Sequence, residues 1–144
     1  MVVLIVLFTS LAIFRLLGFA GVTMFDSWLA SARVSLATMF VFTAMSHFTR
    51  MRKDLIAMVP PALPRPDVLV FATGIAELAG AAGLLFPATT FWAACGLIVL
   101  MVAMLPANIS AARRGVLLRG RRPTPLWLRV PMQALLIAWA WSVR

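Results

Sequence analysis

One cysteine, Cys95, and one histidine, His47, occur in the 144-residue sequence, together with only four acidic residues. A single cysteine excludes an intrachain disulfide and a Cys-x-x-Cys relay. A single histidine excludes a bis-histidine haem and a multi-histidine copper site held by this chain alone. Membrane thiol oxidoreductases and catalytic oxidase subunits are therefore excluded as self-sufficient readings. Charged residues make up only 12% of the sequence, and nothing longer than a loop separates its apolar runs. A sizeable water-soluble domain is excluded as well, and the length allows one domain rather than two.

What is present is hydrocarbon. Apolar residues are 63% of the chain and mean hydropathy is +1.02, against about 45–50% apolar for ordinary soluble domains. Five stretches approach the roughly 20 residues that span a bilayer. They run from Val2 to Phe25, Leu29 to Phe48, Val68 to Phe86, Phe91 to Ala112 and Leu126 to Val143. The first is interrupted by Arg15. It has no basic region ahead of it and stays apolar past that arginine, so it reads as a retained helix rather than a signal peptide.

The formal net charge of +9 invites a nucleic-acid reading, which the placement of the charges rejects. Arg50, Arg52, Lys53 and Arg65 lie between the second and third stretches. Arg113, Arg114, Arg119, Arg121 and Arg122 lie between the fourth and fifth. Five spans put both loops on one side, and the positive-inside rule makes that side cytoplasmic, with the N-terminus inside and the C-terminus outside. Anionic lipid headgroups are the expected partners of these loops. Trp28, Trp92, Trp139 and Trp141 fall near the outer ends and Trp127 at the inner edge, as interfacial indoles should.

Residues Met51 to Pro66 mix basic and apolar residues and then carry Pro60, Pro61, Pro64 and Pro66, which forbid a regular helix there. The segment is either a short amphipathic turn folded over the cytoplasmic mouth of the bundle or a stiff linker.

Polar groups in lipid are costly, about 2.5–3.5 kcal/mol for a central charge on insertion scales. Five residues therefore stand out as an intramembrane polar or ligand-binding site: Glu77, His47, Asn108, Gln133 and Arg15. By helix rise, Glu77 is near the midplane, Gln133 is shallower, and Asn108 and His47 lie within two turns of the inner ends. Together they would line a polar funnel open to the cytoplasm. Arg15 would reach a depth similar to Glu77, and an ion pair between them would relieve both burials. The alternatives are a protonated Glu77 bonded to a neighbour and an Arg15 that snorkels. Asn108 follows Pro106, so it either repairs the carbonyls that a proline frees or contacts a ligand. His47 is either an interfacial hydrogen-bonding residue or a ligand and proton group. Around Glu77 the third stretch carries Thr73, Gly74, Ala76, Gly80, Ala81 and Gly83, a face for close helix packing.

The order of short motifs resembles a known family. Ser46-His47-Phe48 ends one helix, and Val59-Pro60-Pro61 and Leu63-Pro64 follow. Gly74, Glu77-Leu78, Gly80 and Leu84-Leu85-Phe86-Pro87 come next, then Pro106-Ala107-Asn108-Ile109 and Leu128-Arg129-Val130-Pro131. From about Arg33 to Trp141 this is similar to the DoxX-like family of small bacterial membrane proteins. The resemblance implies an all-α membrane protein: a DoxX-like four-helix transmembrane bundle over residues 29–144, with residues 1–28 as an additional N-terminal transmembrane helix. It implies a cell inner membrane location and an accessory or ligand-binding role in quinone-linked redox or oxidative-stress chemistry. Quinone would be the ligand, a membrane or cytosolic redox partner protein would supply the electrons, and the chain would not be a self-sufficient enzyme. The alternative functions are a small transporter or permeability factor, disfavoured because no inverted repeat is visible, and an assembly scaffold without ligand.

Overall fold

The computed structural model of the chain describes residues 2–117, 120 and 124–144. Of the basic residues between the last two apolar stretches, Arg119, Arg121 and Arg122 lie outside the described residues. All six longer elements are helical: α1 (Val2–Phe19), α2 (Trp28–Phe48), α3 (Arg52–Met58), α4 (Pro66–Leu84), α5 (Thr90–Arg114) and α6 (Leu126–Ser142), with a 3-10 turn at Thr23–Phe25. No strand occurs among the described residues.

The helix ends follow local chemistry. The expected first helix, Val2 to Phe25, stops at Phe19 instead. Gly18, Ala20 and Gly21 weaken the last turn, and Gly21 takes φ +96°, which any Cβ would resist. Ser27 then caps α2, its Oγ accepting from the Ala30 amide at 3.0 Å. The basic-apolar half of the Met51–Pro66 segment forms α3. That helix ends where Val59 turns extended, as a residue before proline must. Pro66 starts α4 at a position where its missing N–H costs nothing. Gly115, at φ +64°, closes α5 by donating to the carbonyls of Ala111 and Ala112.

Helix α1 packs on α2, α2 on α4, α4 on α5, and α5 on α6, with a lighter α2–α6 contact completing the circuit. The short α3 sits across one end, against α2, α4 and α5. The shared core includes Leu7, Leu36, Met39, Leu84, Leu97 and Leu136. At the other end the Trp139 indole donates to the Ala32 carbonyl at 3.2 Å, and Arg33 Nε donates to the Val143 carbonyl at 3.2 Å.

Large apolar side chains also cover the outside. Leu16, Val99 and Trp92 are 67%, 68% and 74% exposed, a surface that water would penalise at roughly 25 cal/mol per Å². Four helices, α1, α2, α4 and α5, are long and apolar enough to cross a membrane. Helix α6, the fifth expected span, has 17 residues and reaches about 26 Å, against about 30 Å for a bilayer core.

Candidate functional site

The polar centre of the bundle is a square of four side chains on two antiparallel helices. Thr43 and His47 are one turn apart on α2, and Thr73 and Glu77 are one turn apart on α4, so each pair shares a face. Thr43 thereby meets Glu77, and His47 meets both Thr73 and Glu77. Thr43 Oγ1 donates to Glu77 Oε2 at 2.8 Å. His47 Nε2 lies 3.5 Å from Glu77 Oε1. His47 Nδ1 lies 2.7 Å from the Val70 carbonyl oxygen and 3.3 Å from Thr73 Oγ1. Both ionisable side chains are buried, His47 4% and Glu77 5% exposed. A carbonyl only accepts, so Nδ1 carries a hydrogen and the His47 tautomer is set. Nε2 and Oε1 then face each other.

The two threonines have a second acceptor each. Thr43 Oγ1 also reaches the Phe40 carbonyl at 3.0 Å. Thr73 Oγ1 reaches the carbonyls of Leu69 and Val70, both at 3.0 Å. Each hydroxyl can rotate between the backbone and the pair.

Glycine lets the two helices come this close. A Cβ built on Gly74 would stand 2.6 Å from His47 Cβ. The small-residue face of α4 is in fact divided, since Gly80 and Gly83 meet Leu97 and Ala93 of α5 instead.

A cavity of about 210 Å³ lies beside His47. Thr73 is the other polar residue on its wall, and Leu55, Val59, Leu63 and Met104 are among the apolar ones. Helix α3 and the proline segment thus roof the cavity. Arg114, from the end of α5, fastens that roof: its Nη2 donates to the carbonyls of Ala57, Met58 and Val59 at 2.9, 2.9 and 3.0 Å.

The other expected site residues do not join His47 and Glu77. Arg15 makes no pair with Glu77. Its Nη1 donates to the carbonyls of Phe25 and Asp26 at 2.7 and 2.8 Å, and its guanidinium lies over the rings of Phe19 and Trp28. The expected depth was counted from the start of α1, but Arg15 is one turn from the end of that helix, and the turn into α2 offers nearer acceptors. Asn108 neither repairs the helix at Pro106 nor faces the cavity wall; its Oδ1 accepts from Arg129 Nη1 of α6 at 2.7 Å. Gln133 Nε2 donates to the Met101 carbonyl of α5, one residue before the Val102 carbonyl that Pro106 leaves without its helical donor. The single funnel is therefore four separate sets of contacts. Only His47, of the five, lines the cavity.

Residues 36–144 match the family described as Domain of unknown function (DUF8561). The chain belongs to this family. The DUF8561 region begins inside α2 and leaves α1 outside, so it contains Thr43, His47, Thr73, Glu77 and Arg114 but not Arg15. No curated protein and no solved structure matches the chain. Sequence reasoning missed Thr43 as a partner of Glu77 and Arg114 as the fastening of α3. The first had a signal in its four-residue spacing from His47; the second had none, because its acceptors are backbone carbonyls 55 to 57 residues away.

Proposed function

We propose that this DUF8561 protein is a multi-pass inner-membrane protein that holds the ring of a quinone-class lipid beside His47, as an accessory subunit to a redox partner that supplies the electrons. The observation that carries the reading is the apolar cavity with the buried His47–Glu77 pair at its wall. At about 210 Å³ it is smaller than the roughly 300–1,000 Å³ of small-molecule pockets. It suits one substituted ring, with an isoprenoid tail left to pass between helices into lipid. The residues would fit such a head: His47 Nδ1–H, shared with the Val70 carbonyl, and the Thr73 hydroxyl, turned off its backbone carbonyls, would be the donors to a ring oxygen, and the remaining wall is apolar. When bound, the quinone would supply two-electron redox chemistry; the chain supplies the site, the orientation and the hydrogen bonds. The DoxX-like motif order supports the same reading.

In this reading α6 is the fifth span, with Trp127 and Trp141 at its interfaces, and the N-terminus is cytoplasmic. The α3 roof, with Arg52, Lys53 and Arg114, then faces the cytoplasm, and the basic residues meet anionic headgroups. Native purification followed by lipid mass spectrometry tests the function. Quinone should co-purify with the protein in clear excess over an unrelated membrane protein and fall about tenfold or more in His47→Leu, since a lost buried hydrogen bond costs roughly 1–3 kcal/mol. Equal quinone in the wild type and the unrelated protein would overturn the reading.

A further inference from the structure

We propose that the groove at the C-terminal end of α5, formed by Pro106, Ile109, Ser110, Arg113 and Arg114, is a binding site for one anionic phospholipid, with Arg113 on its phosphate. This rests on the membrane reading of the bundle and is independent of the quinone.

The five positions are spaced three and four apart, so they share one face of α5. Along that face the chemistry changes. Pro106 and Ile109 make its first half apolar, and the two arginines stand at the helix end, about 10 Å beyond Pro106. The groove is open and holds about 500 Å³, more than twice the volume of the cavity beside His47. A free anion would use only its arginine end. A phospholipid uses both halves: the phosphate meets the arginines and the acyl chain lies on the apolar floor.

The charge of the missing partner follows from what the chain lacks. Beyond Glu77 the sequence holds seven arginines and no aspartate or glutamate. Two of the arginines near this end of α5 are already committed. Arg129 donates to Asn108, and Arg114 gives Nη2 to the α3 roof and Nε to Ser110 Oγ. Arg113 is exposed and makes no hydrogen bond and no ion pair among the described residues. Ser110 Oγ accepts from Arg114, so its own hydrogen remains to be donated. A planar guanidinium suits a phosphate, which it can bond through two nitrogens at once. A zwitterionic lipid would bring its ammonium up to a pair of arginines, whereas an anionic one brings only the charge that they lack.

The test takes the full chain from nanodiscs of equal phosphatidylglycerol and phosphatidylcholine into detergent and counts retained lipid by native mass spectrometry. Phosphatidylglycerol should be retained over phosphatidylcholine by about fivefold or more, the effect of one charge-assisted hydrogen bond. Arg113→Gln should bring that preference to within about twofold of parity. Arg50→Gln removes the same charge from an exposed position outside the groove and should leave the preference within about twofold of the wild type. Equal retention of the two lipids by the wild type would overturn the site. A loss as large in Arg50→Gln as in Arg113→Gln would also overturn it, by showing diffuse surface attraction. Displacement of the lipid by glycerol 1-phosphate at matched concentration would mean that a chainless phosphate suffices, against the proposal. Ile109→Phe keeps both arginines and fills the apolar half, so it should lower phosphatidylglycerol retention. Should Arg113→Gln not fold, Ile109→Phe decides, and undiminished retention there counts against the site. Quinone in the same spectra tests the proposed function separately.

Discussion

Gly74 of α4 lies flat against His47 of α2: a Cβ at position 74 would come within 2.6 Å of His47 Cβ and 2.9 Å of its Cγ. The absence of one methyl group thus sets both the separation of the two helices and the position of the imidazole. Gly74→Ala should destabilise the protein by about 1–3 kcal/mol, the usual cost of overpacking a filled interior. Gly96→Ala, which meets nothing within 4 Å, is the matched control and should be neutral or slightly stabilising through helix propensity. Thermal unfolding of both variants in one detergent checks this, and equal midpoints would refute the close-contact account.

Arg15 and Glu77 are held by different partners, so their substitutions should not couple. The combined Arg15→Met and Glu77→Gln variant should lose the sum of the single losses to within about 0.5 kcal/mol. A double variant clearly more stable than that sum would mean that the two charges do pair.

Arg114 joins three carbonyls at the end of α3. Arg114→Ala should leave the bundle folded but free α3. Hydrogen exchange over residues 55–59 should rise by about fivefold or more, as expected when charge-assisted bonds worth roughly 1–3 kcal/mol are lost. Arg114→Lys should restore only part of the protection, because an ammonium has no second nitrogen to keep the Nε–H bond to Ser110 Oγ that orients the guanidinium. Exchange rates unchanged in Arg114→Ala would show that the roof is held by its apolar contacts alone.

Asn108 accepts from Arg129 between α5 and α6. Asn108→Leu removes the acceptor and leaves a half-buried guanidinium short of a bond, at a cost of about 1–3 kcal/mol. Adding Arg129→Leu should recover most of that loss, since removing both partners of a buried polar pair is far cheaper than removing one. A double variant as unstable as Asn108→Leu would show that the two residues act independently.

The proposed orientation puts Lys53 in the cytoplasm and Met24 outside. In a Cys95→Ala background, Met24→Cys in intact cells should react with a membrane-impermeant maleimide and Lys53→Cys should not. The reverse pattern would invert the topology.

Hydropathy determined the membrane class and the helical content, because a run of some twenty apolar residues leaves backbone groups no partner but their own helix. Proline and glycine placed the breaks at Val59, Pro66 and Gly115 for local reasons that a linear sequence displays. His47 and Glu77 could be picked out as costly in lipid, since that cost belongs to the residue type and its depth. Partnership was not legible in the same way. Which charge meets which acceptor depends on helix rotation and on how closely backbones approach. Gly74 controls that approach for His47 and Glu77, and Gly18, where a Cβ would run into the Phe25 carbonyl, controls it for Arg15. A depth counted along a helix says nothing about its facing, so Arg15 and Glu77 looked like natural partners. Only the tertiary packing turned one to the carbonyls of Phe25 and Asp26 and the other to Thr43 and His47.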